Sequence, residues 1–384
     1  MLALRLVRGT HPVVQLRRLL VAAATAGVGF LLLCTLGYAV GHPDRSSASA
    51  LRLLWCALPL AATVQFAVAV ARTDPSVRPR PGLSAVGLGP ARLTAVAAAS
   101  TAVACTLGSA VALLLYLHLR GDLSGLPFDG AAAGLLAADR PVPVAAALTL
   151  LALPPAVAAT AAGLALRPGR TDAPAARGAE RTLPSGLPWG VALVSVGLAV
   201  ETYAARGGGG SGLPLPGRFD GSPTGVLAGW VLTALGLATA GPGIAHGCGR
   251  LLQAVRPGAV RLLAGRVLMG EAPRIGRPLG VVGAVLSGLI AAATVYASGP
   301  GTDVFGPLTG LGALLIVVCT TATLLTAALE SRQYRARTTE ALLRLGAPPT
   351  VLRTAALMRA GVLLAVFLPV TWLVGTLAAL PLTG

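Results

Sequence analysis

Two ionisable side chains fall inside long apolar runs of this chain, Glu201 and Arg359, and any chemistry at membrane depth would begin with them. A carboxyl or guanidinium is costly in hydrocarbon, so groups placed there tend to bind substrate, couple ions or relay protons. Glu201 stands near the outer end of its run and Arg359 near the inner end of another, so the two are not expected to pair. Snorkelling to the nearest interface is the simpler reading for each, with Glu201 kept as a candidate substrate-contacting group. The four histidines, His11, His42, His118 and His246, are scattered near the ends of apolar runs and read as interfacial polar residues rather than ligands. Cys34, Cys56, Cys105, Cys248 and Cys319 have no paired spacing and read as small core residues, not as a disulfide frame or metal site. No Ser/His set, carboxylate pair or His-rich group shares a common depth, so no catalytic residues, metal centre or bound cofactor are expected. Every basic residue is arginine. Without a lysine the chain has no Walker A loop, and any ATP hydrolysis must come from another polypeptide.

These residues sit in a chain that is 55% hydrophobic and 11% charged, with apolar runs too long for a soluble fold. A bilayer core takes roughly 20 apolar residues per helix, and lipid offers the backbone no hydrogen-bond partners, so the runs are expected to be helices. Nine are drawn: Leu19 to Val40, Leu51 to Val70, Leu93 to Leu117, Val142 to Leu166, Trp189 to Ala205, Val226 to His246, Leu279 to Ala297, Leu308 to Leu329 and Leu352 to Leu380. The first is too long for the apolar core of a signal peptide and is read as a retained helix. Pro154 and Pro155 are expected to bend the fourth span, and Pro369 the ninth. The fold class is therefore an all-α integral membrane protein.

Charge orients the spans. With a cytoplasmic N-terminus, 24 of the 30 arginines fall on inner segments and only Arg45, Arg52, Arg120, Arg140, Arg206 and Arg218 on outer ones. The positive-inside rule selects this orientation and places the C-terminus outside. The net charge of +17 is thus a topology signal. No basic stretch is interleaved with stacking aromatics, so nucleic acid is not an expected partner. Small pairs such as Ala23 with Gly27 and Gly243 with Gly247 permit close helix packing, and Gly207 to Gly210 reads as a flexible outer loop.

The chain also repeats itself. An offset of 261 places Leu2, Ala3, Arg5, Gly9 and Pro12 on Leu263, Ala264, Arg266, Gly270 and Pro273. An offset of 259 places Arg78, Leu83, Gly87, Pro90, Leu93 and Ala97 on Arg337, Leu342, Gly346, Pro349, Leu352 and Ala356. Six helices separate the copies, which makes the repeat parallel. Each copy reads as a basic entry segment, two helices joined by a short outer loop, and an arginine-studded inner stretch feeding a third helix. In the second copy, Thr338 and Thr339 are expected to cap a short helix at the inner membrane face that carries Leu342, Leu343 and Leu345. Gly346 should end that helix, with Pro348 and Pro349 preventing its continuation.

The run "EALLRLGAPPTVLR" before a long apolar helix, with a weaker copy in the first half, resembles the FtsX-like permease subunits of ABC transporters, the MacB and lipoprotein-releasing type. The resemblance covers residues 1–118 and 261–384. It implies a first transmembrane unit at 1–170, a linker with two membrane helices at 171–260, and a second, shortened unit at 261–384. It further implies that Leu83, Val86, Gly87, Arg92, Glu340, Leu342, Leu345, Gly346 and Arg353 couple the chain to a cytoplasmic ABC ATPase homodimer, which would bind the ATP. The chain would then be a non-catalytic subunit in the cell membrane, exporting a lipophilic or peptide substrate, with membrane lipid as its other partner. Several features depart from the family pattern. The first copy lacks an acid where Glu340 stands, Arg359 replaces a usual glutamate, the outer loops are short, and the second copy is one helix short. A carrier that does not use ATP and a non-transporting scaffold or sensor subunit are the alternative readings.

Overall fold

The computed structural model describes residues 12–74, 90–123, 130–134, 136, 138–167, 186–206, 224–254, 258–297, 306–346 and 348–383. Ten α-helices occur among them: α1 (Pro12–Gly41), α2 (Ser46–Trp55), α3 (Ala57–Thr73), α4 (Pro90–Arg120), α5 (Val144–Ala165), α6 (Gly186–Arg206), α7 (Thr224–Ala254), α8 (Ala259–Ala297), α9 (Pro307–Arg344) and α10 (Pro349–Thr383). The α2 and α3 helices run almost unbroken through Cys56, whose own backbone is α-helical. Nine helical stretches among the described residues are long and apolar enough to cross a membrane, one for each expected span. The protein is an all-α, multi-pass membrane protein.

The packing is the inverse of a soluble core. On α4, Val96, Val103, Leu107, Val111 and Leu114 recur every three to seven residues and are exposed, while Ala97, Cys105 and Ala112 on the other side are buried. Large aliphatic side chains face outward because lipid accepts them, and small ones face inward because dispersion between closely approaching backbones is what holds membrane helices together. Some buried hydroxyls are satisfied within their own helices, as where Thr25 Oγ1 donates to the Val21 carbonyl at 2.8 Å and Thr101 Oγ1 to that of Ala97 at 3.0 Å, and others across helices, as where Ser109 Oγ donates to the Leu151 carbonyl at 2.9 Å. All five cysteines are buried free thiols, in keeping with their reading as small core residues.

The chain divides into two compact units. The first holds α1 to α5 and the opening turns of α9 through Cys319; the second holds α6, α7, α8, α10 and the rest of α9. In the first unit α1 packs on α3, α4 and α5, around Leu33, Cys34, Ala112, Tyr116 and Leu151. Arg18 ties the start of α1 to the end of α3 through an ion pair with Asp74 at 2.5 Å. In the second unit, α7 packs against both α6 and α8, and α8 against α10, so the pair read as a linker lies directly on the helices of the second copy.

Glycine sets these approaches. A Cβ added to Gly197 of α6 would lie 2.8 Å from the Gly229 carbonyl of α7, and one added to Gly229 would lie 2.7 Å from the carbonyl of Gly197. Gly265 of α8 meets the Gly249 carbonyl of α7 in the same way, at 2.6 Å. Of the small pairs expected to serve packing, Gly243 does so against Leu187 and Gly247 faces open space.

Two elements differ from expectation. The short inner helix does not form as a separate element, because α9 continues from Pro307 through Arg344 without a break. No proline or glycine interrupts residues 313–345, so Thr338 and Thr339 extend a running helix instead of capping a new one. Likewise, the basic segment ahead of Leu279 is helical. Arg261, Arg266, Arg274 and Arg277 all lie within α8, whose early turns bury Ala264 and Leu268 against Cys248 and Leu252 of α7. Pro154 and Pro155 are accommodated inside α5, and Pro369 inside α10.

Candidate functional site

The arginine-rich end of α8, α9 and α10 brings charged side chains together. Helical spacing of three and four residues places Leu263, Val267, Glu271 and Arg274 on one face of α8. The same spacing aligns Ser331, Arg335 and Thr338 on α9, and Leu352, Ala355 and Arg359 on α10. These three faces line a cleft of about 510 Å³. Glu271 lies within it: its Oε1 is 2.6 Å from Arg335 Nε and its Oε2 is 3.7 Å from Arg359 Nη1. The Arg335 contact is close in distance but off hydrogen-bond direction, leaving Oε1 without a hydrogen-bond donor among the described residues. Arg335 instead donates to the Ser331 carbonyl at 3.3 Å. Arg274 lies over the Tyr334 ring, 4.1 Å from its centroid. A cation–π contact of this kind orients the guanidinium without neutralising it.

Arg359 is therefore not a lone snorkelling residue, as its position in the sequence implied. It turns toward a carboxylate three helical turns into α8, because ion pairing offsets desolvation where the interface is less accessible. Glu201 also departs from expectation. It is fully buried between α6 and α7, where Thr233 Oγ1 donates to its Oε1 at 3.1 Å and its Oε2 has no hydrogen-bond partner among the described residues. Gly229 makes this possible, since any side chain there would collide with the Glu201 methylenes. No ion pair joins Glu201 to Arg359 among the described residues, as their separation in sequence implied.

Next to the cleft, α9 ends in an exposed turn. Gly346 has φ +85°, a left-handed conformation that stops the helix as expected for this glycine, and its N–H donates to the Leu343 carbonyl at 3.0 Å. Pro349 then opens α10, just as its repeat counterpart Pro90 opens α4; proline suits the first helical position, where an N–H would have no partner. Glu340 pairs with Arg344 at 2.6 Å on the exposed side, and Leu343, Leu345 and Arg353 are exposed, Leu345 to 84%. Leu342 lies in the last turn of α9, and Arg92 is exposed in the first turn of α4. Leu83, Val86 and Gly87 lie outside the described residues.

Glu271, Arg274, Tyr334 and Arg335 lie outside the apolar spans legible in the sequence, of which the seventh begins at Leu279 and the eighth ends at Leu329, so apolar patterning alone does not single them out. The three-and-four spacing on all three segments was the available signal. No family model, curated protein or solved structure matches the chain.

Proposed function

We propose that this protein is the transmembrane permease subunit of an ABC transporter, in the cell membrane with its N-terminus cytoplasmic, and that it couples ATP hydrolysis by a separate ATPase to helix motion. The observation that carries this reading is the α9–α10 turn. A membrane helix runs on past its apolar stretch, presents Leu343 and Leu345 beside Glu340 and Arg344, and stops at Gly346 shortly before the next membrane helix opens at Pro349. We take the neighbouring exposed leucines, Leu343 and Leu345, as the docking feature of this turn. Because α9 and α10 are each continuous up to this turn, a partner docked there would act on two membrane helices at once. The FtsX-like resemblance of this stretch supplies the partner, a dimeric cytoplasmic ATPase. Export of a lipophilic or peptide substrate fits the apolar helix faces.

The test is affinity purification of the full chain from the membranes of its own host, with co-purifying proteins identified by mass spectrometry. A Walker-type ATPase retained by the wild type and lost from the Leu343→Asp, Leu345→Asp variant is the expected result, provided the variant remains monodisperse in detergent. Absence of any ATPase, or equal retention by both forms, overturns the proposal.

A further inference from the structure

The cleft among α8, α9 and α10 is unbalanced in charge. Arg274, Arg332, Arg335 and Arg359 line it, and among the described residues Glu271 is its one acidic lining residue. Glu271 engages Arg335 and Arg359, whereas Arg274 and Arg332 enter no ion pair among the described residues and are exposed. Four guanidinium groups from three helices line one cleft that offers a single carboxylate, and like charges so placed repel one another unless a further anion is supplied. Guanidinium groups favour phosphate, whose oxygens accept paired N–H donors. The rest of the lining is apolar, with Leu263, Val267, Leu352 and Ala355 forming walls beside the charged groups. An inorganic ion has no use for such walls, but an amphiphile has.

We infer that this cleft binds the phosphate headgroup of an anionic membrane lipid, with its arginines holding the phosphate and its aliphatic wall carrying the adjoining hydrocarbon. Basic pockets between membrane helices on the arginine-rich side are suited to such headgroups. Glu271 then has a defined role. In the absence of lipid it is the internal counter-ion of Arg335 and Arg359, and it competes with the phosphate for them. The inference goes beyond the transport reading and does not rest on it, since it is argued from the charged and apolar lining of the cleft and not from the α9–α10 turn.

The experiment is calorimetric titration of the full chain, in a non-ionic maltoside detergent, with dioctanoyl phosphatidylglycerol, dioctanoyl phosphatidylcholine and inorganic phosphate. Saturable binding of phosphatidylglycerol, at least tenfold tighter than either of the others, is expected. Arg274→Gln should weaken it about fivefold and Arg274→Gln with Arg332→Gln about 25-fold, as expected for basic groups acting on an anionic lipid. Neither arginine takes part in an ion pair, so neither change removes a structural contact of that kind. Glu271→Gln should tighten binding several-fold by removing the competing carboxylate, an effect opposite to that of simple loss of structure. Equal affinity for the two lipids, insensitivity to the arginine changes, or weaker binding in Glu271→Gln overturns the inference. Inorganic phosphate binding as tightly as phosphatidylglycerol assigns the site to the free ion and overturns the lipid. No ATPase takes part, so the outcome is separate from that of the permease proposal.

Discussion

At the scale of single residues, two positions carry consequences that follow from their surroundings. Glu201 is wholly enclosed, with one donor for its two carboxyl oxygens. A neutral amide keeps the acceptor that Thr233 needs, so Glu201→Gln is expected to leave thermal stability in detergent within about 1 kcal/mol of wild type. Glu201→Lys would put an unpartnered ammonium in the same slot and should cost about 3 kcal/mol or more, seen as loss of the monodisperse peak on size-exclusion chromatography. Gly346 presents the opposite case, since nothing lies within 4 Å of where its Cβ would be. The cost of Gly346→Ala is then purely that of a left-handed backbone, about 1 to 2 kcal/mol, concentrated in one turn. Tryptic cleavage after Arg344 should accelerate several-fold, while Gly361→Ala, equally open but within α10, should leave it unchanged.

At the scale of elements, the α6–α7 pair is held by backbone proximity more than by side-chain bulk. Gly190, Gly197, Gly229 and Gly236 each lack space for a Cβ against the opposite helix. Gly197→Val should therefore separate the pair and lower the unfolding temperature by several degrees, with Gly288→Val on α8 as the control because its site is open. A small change in both variants would mean that side-chain contacts, not glycine-mediated approach, hold the pair. Helix continuity is the second lesson at this scale. The sequence reading marked Gly346 as a helix stop and Pro349 as a start, and both stand. It erred at Thr338 and Thr339, because a capping residue signals a beginning only where the preceding chain has reason to stop. The arginine-dense segment ahead of Leu279 carries no long apolar run, so the helical face formed by Leu263, Val267, Glu271 and Arg274 shows only once the segment is seen to be helical.

At the scale of the whole molecule, the nine membrane-length helices among the described residues and the arginine bias together predict a cytoplasmic N-terminal side and an outer C-terminal side. A phosphatase reporter active only on the outer side is expected to be active when fused after Gly384 and inactive when fused after Gly346, where α9 ends. The reverse pattern would invert the topology and move the arginine cleft to the outer face.

What the sequence determined by itself is the set of crossings, their helical nature, the buried fate of the cysteines and the turn at Gly346. Each follows from local rules: hydrocarbon leaves the backbone no partner but itself, and φ near +85° favours glycine. Only the tertiary structure decided that Glu201 is enclosed opposite Gly229 and Thr233, and that Glu271 draws Arg335 and Arg359 to one cleft. Those outcomes depend on which helix faces meet. Among lipid-embedded helices that choice is made by small-residue fit and pairing of the few charges, which no single segment encodes.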